Sequence, residues 1–241
     1  YSVGNEIHDT AKPALAKNIL AGLVGIVHAE DPTRPATQAL FRPNTTHDYT
    51  NGLADMLDVI GTNYRDRELL AAQRAKPSRQ IVGTEERHDR ETWLEMRDHP
   101  SLAGQFLWAG VDYLGEADWP DLSSGAGLLD RTGRLKPRAF ERQSWWGDQP
   151  MVHLARHEPA LAGSDARLRP GFDLSSDWTP KNAATYHDAN VEVFSNCDTV
   201  ELTLNGQSLG SQPKPADASP RVWKIPFAPG TLEATARNGN Q

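Results

Sequence analysis

Hydrophobic and polar positions follow two patterns along the chain, one before residue 148 and another after Pro150. In the first part, segments with apolar residues three and four positions apart alternate with short, continuous apolar runs. Apolar residues at that spacing are typical of amphipathic helices, and short continuous apolar runs are typical of buried strands. Together they predict helices at residues 11–29, 49–56, 67–74, 90–97 and from Pro137 onward. They predict strands at residues 1–6, 36–40, 57–62, 80–84 and 102–109.

The alternation of strands and helices predicts an α/β fold with a parallel sheet and right-handed crossovers. Five strand-plus-helix units occupy the first part, and a complete TIM (β/α)8 barrel needs roughly 250 residues, or about 31 per unit. These units therefore fit the C-terminal five-eighths of such a barrel. A doubly wound open sheet is the structural alternative, although no glycine-rich phosphate loop follows any of the strands.

After Pro150 the pattern has a period of two, which indicates half-buried β-strands. Strands are predicted at residues 191–195, 200–204, 221–227 and 231–237, and Asn205-Gly206 predicts a tight hairpin turn. This texture fits an incomplete immunoglobulin-like β-sandwich. We therefore expect two domains, a partial TIM barrel over residues 1–148 and a truncated sandwich over residues 149–241.

Composition and charge narrow the classes of function. The 241 residues include 38% hydrophobic and 24% charged residues, as in an ordinary globular protein, and no apolar run is long enough to span a membrane. A net charge of −7 argues against a nucleic-acid partner. Cys197 is the single cysteine, so no disulfide forms within the chain. We expect a piece of a longer protein, because Tyr1 opens inside a strand pattern; the compartment, whether cytoplasmic, periplasmic or secreted, stays undetermined.

Two glutamates end predicted strands, where barrel enzymes carry their catalytic groups. Glu6 ends the first strand and Glu85 the fourth, and their separation along the chain is close to three barrel units. Glycoside hydrolysis needs such a carboxyl pair, although a glutamate at a strand end more often caps or pairs with a cation. Glu86 competes with Glu85, and period-two alternation allows only one of the two to face the site.

Several sequence motifs support a catalytic role for this pair of glutamates. They are Ser2-Val-Gly-Asn-Glu6, Gln80-Ile-Val-Gly-Thr-Glu85, the segment from Phe106 to Glu116, the segment from Leu128 to Gly133, Ser144-Trp-Trp146, Pro150-Met-Val-His153 and Val200-Glu-Leu-Thr-Leu-Asn-Gly206. In this order they resemble glycoside hydrolase family 2, and are most similar to its bacterial β-galactosidases. The resemblance covers nearly the whole chain.

The resemblance implies a retaining β-glycosidase that works by double displacement. Glu85 would be the nucleophile and Glu6 the acid/base. Asn5 would hydrogen-bond the 2-hydroxyl of the sugar, and Tyr64 would hydrogen-bond the nucleophile, unless Tyr64 is an ordinary rim residue. In this mechanism the acid/base must begin protonated, so that it protonates the leaving oxygen.

Three further residues are expected to bind substrate. Trp108 resembles the floor of the sugar subsite, since the apolar face of a pyranose stacks on indole; a core tryptophan is the alternative. Asp112, with Glu116, would bind sugar hydroxyls, and a loop-stabilising role is equally compatible with its position.

The resemblance implies a carbohydrate substrate, a β-galactoside. β-Glucuronidases and β-mannosidases share the catalytic core, but no Asn-x-Lys that would bind a uronic carboxylate lies near the last strand. No cofactor is expected. No metal site is expected either, because the neighbours Glu6-Ile7-His8-Asp9 rarely converge on one ion. A homo-oligomer is compatible with the sequence. The alternatives to an enzyme are a fragment with no independent activity and a sugar-binding module.

Overall fold

The computed structural model describes residues 1–7, 12–117, 119–158 and 173–239. The chain forms two compact units, Tyr1–Trp108 and Ala109–Gln241. The predicted domains place the boundary later, at 148/149. The units divide earlier because the backbone of residues 109–136 pairs with itself, as between Leu128 N and Gly110 O (3.1 Å) and between Lys136 N and Leu128 O (2.8 Å).

The first unit is built on one parallel sheet of five strands, in the order β1-β2-β3-β4-β5. The strands are β1 (Ser2–Asn5), β2 (Thr37–Leu40), β3 (Val59–Asn63), β4 (Ile81–Glu86) and β5 (Leu102–Leu107). The predicted parallel sheet is thereby confirmed. Its closure within a barrel stays a prediction.

Four helices connect these strands: α1 (Pro13–Glu30), α2 (Pro43–Thr46), α3 (Asp66–Ala75) and α4 (Arg90–Asp98). Proline begins α1 and α2, where its missing N–H costs no hydrogen bond. The Asp89 side chain caps α4 by accepting from Thr92 N at 2.8 Å. The predicted helix 49–56 is wrong. Gly52 adopts φ +88 there, and only Ala54–Met56 forms a 3-10 turn.

The core of the first unit lies between the sheet and the helices. Ile60, Ile81 and Leu102 from three strands are at most 4% exposed, and Leu69 from α3 is fully buried. Helix α1 contributes Leu20 and Val24 to this core. Its other apolar side chains, Leu15, Ile19, Leu23 and Ile26, are between 38% and 61% exposed. The helix therefore carries more apolar surface than the described core covers.

The second unit begins with a small hairpin and a helix, and continues as two antiparallel sheets. The hairpin strands are β6 (Tyr113–Leu114) and β7 (Ser123–Ser124), and the helix is α5 (Pro137–Trp146). One sheet has the order β13-β10-β8-β9 and the other β12-β11-β14. Their strands are β8 (Val152–His157), β9 (Leu174–Ser175), β10 (Asp188–Ser195), β11 (Thr199–Leu204), β12 (Gln207–Pro213), β13 (Arg221–Pro226) and β14 (Leu232–Arg237).

The two antiparallel sheets bury one shared core. Val191 and Val193 of β10 and Val200 and Leu202 of β11 are fully buried in the same cluster. The predicted turn at Asn205-Gly206 joins β11 to β12 with φ values of +52 and +76. Sandwich-like sheets are therefore present, while the immunoglobulin topology stays a prediction. Within the described ranges, no helix is long and apolar enough to cross a membrane.

Candidate active site

The candidate site lies where β1, β3 and β4 reach the same edge of the parallel sheet. Glu6 follows β1, and its backbone N–H donates to Ala39 O of β2 at 2.9 Å. Asn63 is the last residue of β3, and Glu85 lies one residue before the end of β4. Because parallel strands end on one side, these side chains meet although they are distant in the sequence.

Asn63 is the residue that joins them. Its Nδ2 lies 3.1 Å from Asn5 Oδ1, 3.0 Å from Glu6 Oε1 and 3.1 Å from Glu85 Oε2. Its Oδ1 accepts a 2.8 Å hydrogen bond from Thr84 Oγ1. Asn63 itself is 1% exposed. The two candidate carboxylates thus share a single buried donor.

Tyr64 holds the second oxygen of Glu85. Its hydroxyl donates to Glu85 Oε1 at 2.5 Å, so each oxygen of this carboxylate has a donor. Burial, and then the hydrogen bond to Glu85, raise the pKa of Tyr64 above its usual value. The hydroxyl therefore keeps its proton at neutral pH and remains a donor to Glu85.

Backbone strain accompanies these contacts. Glu6 has φ +49 and Tyr64 has φ +57, a left-handed conformation that disfavours residues with a Cβ. Residues held in this region cost about 1–3 kcal/mol each and cluster at functional sites. Glu6 follows β1 and Tyr64 follows β3, so both strained residues lie at strand ends of the candidate site.

Glu86 has a different hydrogen-bond partner, Asp66. Glu86 is 1% exposed, and Gly83 leaves the space for its side chain. Burial raises the pKa of Glu86 well above its usual range, and the neighbouring Asp66 raises it further. Glu85, and not Glu86, therefore contacts Tyr64 and Asn63.

The remaining predicted residues are divided between the two units. Trp108 follows β5 in the first unit, its backbone N–H donates to Glu86 O at 3.0 Å, and its side chain is 42% exposed. Asp112 belongs to the second unit. Its Oδ1 accepts from Lys136 Nζ and from Gly127 N, both at 2.8 Å. These contacts favour the loop-stabilising role for Asp112; its role in substrate binding stays a prediction.

Sequence reasoning passed over Asn63 and Thr84. Both lie beside predicted site residues, in Asn63-Tyr64 and Thr84-Glu85, and that adjacency at strand ends was the available signal. His8 and Asp9, considered as metal ligands, lie outside the described residues. Among those that the structure describes, no three histidine, cysteine or acidic side chains converge to hold a metal ion, and the expectation of no metal stays a prediction.

The chain is similar to several known proteins. It is 27% identical over 270 residues to the β-galactosidase BoGH2A of Bacteroides ovatus, a match that covers 91% of this chain and 29% of that protein. It is 34% identical over 153 residues to a putative β-glucuronidase of Formosa agariphila, covering 60% of this chain and 13% of the relative. Residues 187–241 match a domain family of unknown function, DUF4982.

Solved structures give the same picture. A glycosyl hydrolase family 2 member from Bacteroides cellulosilyticus superposes with a TM-score of 0.84 at 30% identity, covering 100% of this chain and 31% of that one. The class of protein that the fold and sequence match is the β-glycosidases. Within that class, the resemblance to glycoside hydrolase family 2 is confirmed. The chain spans less than a third of the length of each of these relatives.

Proposed function

We propose that this chain carries the catalytic carboxyl pair of a retaining β-glycoside hydrolase that acts on β-galactosides. Glu85 is the nucleophile and Glu6 is the acid/base. Asn5 and Trp108 bind the sugar, the first through its 2-hydroxyl and the second by stacking, and Tyr64 holds the nucleophile.

The shared contact with Asn63 carries this proposal. Glu6 Oε1 and Glu85 Oε2 lie 3.0 Å and 3.1 Å from the same nitrogen. These two oxygens are therefore no more than about 6 Å apart, whereas carboxyl separations are roughly 5–5.5 Å in retaining enzymes and 6.5–9.5 Å in inverting enzymes. The bound supports retention, because a water molecule between the carboxylates of an inverting enzyme needs the larger gap.

The chemistry then runs in two steps. A Glu85 oxygen bonds to the anomeric carbon while the bond from that carbon to the aglycone oxygen breaks, and the Glu6 proton passes to that oxygen. Glu6, now a carboxylate, takes a proton from water as the water oxygen displaces Glu85 from the anomeric carbon. The sugar leaves with its original configuration, and both carboxyl groups return to their starting states.

A second candidate substrate is a β-glucuronide. The putative β-glucuronidase of Formosa agariphila is 34% identical over its matched region. The Arg87 guanidinium also lies 5.5 Å from the centre of the Tyr64 ring. Arg87 is exposed beside Tyr64, so this candidate assigns it to bind the uronic carboxylate.

The decisive experiment follows hydrolysis of an aryl β-galactoside by the complete protein with proton NMR. The first anomer released should be β, and Glu85→Gln and Glu6→Gln should each reduce kcat by at least about 10³-fold. Glu91→Gln, on the exposed face of α4, is the matched control and should keep full activity. An initial α-anomer, or normal turnover by Glu85→Gln, would contradict the proposal.

Substrate class is tested separately by comparing kcat/KM for aryl β-galactosides, β-glucuronides and β-mannosides. A galactosidase prefers the first substrate and is unaffected by Arg87→Gln. A preference for glucuronides that Arg87→Gln abolishes would favour the second candidate. Assaying residues 1–241 beside the complete protein tests the remaining alternative, a fragment with no independent activity.

A further inference from the structure

The Asn63 side-chain amide lies within hydrogen-bond distance of more acceptors than it has protons to donate. Its Nδ2 lies within 3.1 Å of three oxygens, those of Asn5, Glu6 and Glu85. A primary amide nitrogen carries two hydrogens. At any moment, therefore, at most two of these contacts are full hydrogen bonds. The two N–H groups donate preferentially to the oxygens that carry negative charge.

Thr84 determines which end of this carboxamide faces the carboxylates. Its Oγ1 donates to Asn63 Oδ1 at 2.8 Å. An amide oxygen only accepts, so it has no favourable contact with a carboxylate oxygen. If the carboxamide turned over, this oxygen would face Glu6 and Glu85, and Thr84 would lose its acceptor. The hydroxyl thus stabilises the orientation in which both N–H groups point into the site.

Thr84 is itself held in place by the neighbouring strand. A Cβ added at Gly61 of β3 would lie 2.4 Å from Thr84 Cγ2 and 2.9 Å from Gln38 O. Real Cβ atoms do not approach other heavy atoms so closely. The missing side chain at Gly61 therefore provides the room in which the Thr84 methyl packs, and this packing fixes the direction of its hydroxyl.

We propose that Thr84 is a positioning residue which keeps the Asn63 amide as a stationary donor for a charge that moves. This inference rests on the proposed function. In the free enzyme the negative charge is on Glu85 and Glu6 holds a proton. In the glycosyl-enzyme Glu85 is an ester, Glu6 has given its proton to the leaving oxygen, and the charge is on Glu6. Asn63 donates to whichever carboxylate is charged, without any side-chain movement.

The test compares Thr84→Val, which removes the hydroxyl at nearly constant shape, with Thr84→Ser, which keeps it. Both are assayed in the complete protein with aryl β-glycosides that have a good and a poor leaving group, so that breakdown and formation of the ester limit the rate in turn. Thr84→Val should lower kcat about tenfold with both substrates and change KM less than twofold, because the donor acts in both transition states. Thr84→Ser should stay within about twofold of the unmodified protein.

Three outcomes would overturn the inference. They are an unchanged Thr84→Val variant, a loss with one leaving group only, and an equal loss in Thr84→Ser, which would assign the effect to packing. Failure of the proposed function is recognised separately, because Glu85→Gln would then retain turnover in the same assay. A crystal structure of Thr84→Val adds a readout independent of activity. The Asn63 side chain should turn or divide between two orientations, and an unmoved Asn63 would also contradict the inference.

Discussion

Gly83 leaves the space that the buried Glu86 side chain fills. A Cβ at position 83 would lie 2.8 Å from both Cγ and Oε1 of Glu86. Glu86 is 1% exposed, so its side chain has little room to move aside. The two residues therefore form one packing unit within β4.

Gly83→Ala should consequently destabilise the protein. Overpacking of a filled interior costs about 1–3 kcal/mol. Chemical denaturation of the variant should show a lower midpoint with an unchanged slope. Gly104→Ala in β5 is the matched control, because a Cβ there meets no atom within 4 Å. Equal stability of the two variants would show that Glu86 moves freely.

Glu86→Gln should change how stability depends on pH. Burial and Asp66 raise the folded-state pKa of Glu86 above its ordinary value of 4.5. A raised pKa means that the stability contributed by the protonated group is complete below about pH 4.5 and is lost as the pH rises toward the folded-state pKa. Glutamine keeps an N–H donor for Asp66 and has no proton to lose. The melting temperature of the variant should therefore rise relative to that of the unmodified protein between pH 5 and pH 9. A difference in melting temperature that stays constant with pH would contradict this.

Tyr64→Phe should reduce turnover with little effect on folding. The hydroxyl donates to Glu85 Oε1 at 2.5 Å, and loss of a donor to a reacting oxygen costs roughly 10²-fold or more in kcat. Tyr49→Phe is the control. Tyr49 is 8% exposed, and its hydroxyl has no hydrogen-bond partner among the described residues. That variant should keep its activity and its melting temperature, and equal losses in the two variants would assign the effect to packing.

A second group that makes stability depend on pH lies in the second unit. His157 Nδ1 lies 2.9 Å from Asp173 Oδ2, and its Nε2 lies 2.8 Å from Glu192 Oε1. Hydrogen bonds to these two carboxylates raise the pKa of His157 to about 9. The resulting stabilisation is complete below pH 6.5 and is lost as the pH rises through about 9.

His157→Gln should therefore be less stable than the unmodified protein at pH 6, by about 1–2 kcal/mol after allowance for solvent screening. The difference should shrink at pH 10, where the histidine is neutral. Urea denaturation at the two pH values measures this. A difference that is the same at both would show that the charge of His157 does not contribute.

The hydrophobic pattern predicted most of the helices and strands because packing in this chain follows local periodicity. Helix α1 runs over Pro13–Glu30 where 11–29 was predicted, and β4 over Ile81–Glu86 where 80–84 was predicted. The pattern gave a wrong prediction at residues 49–56. Apolar residues there have helical spacing, but Gly52 is left-handed and Asn51 Oδ1 accepts from Leu53 N at 2.8 Å, so the backbone turns instead.

The sequence predicted the two carboxylates of the candidate site, but not the roles of Asn63 and Thr84. Alternation along β4 predicted that only one of Glu85 and Glu86 faces the site, and the resemblance of the segment from Gln80 to Glu85 favoured Glu85. The role of Asn63 depends on partners on β1 and β4 that are remote in sequence, so only their meeting at one sheet edge reveals it. Thr84 depends in turn on Asn63, and is one step further from what a linear pattern contains.

The left-handed backbone of Glu6 sets the stability of the fold against the proposed catalytic role of this residue. Glycine adopts φ +49 without the steric cost that glutamate bears, so Glu6→Gly should relieve about 1 kcal/mol or more of strain. The same change removes the proposed acid/base. Selection for heat resistance alone would therefore favour a variant that lacks the proposed acid/base.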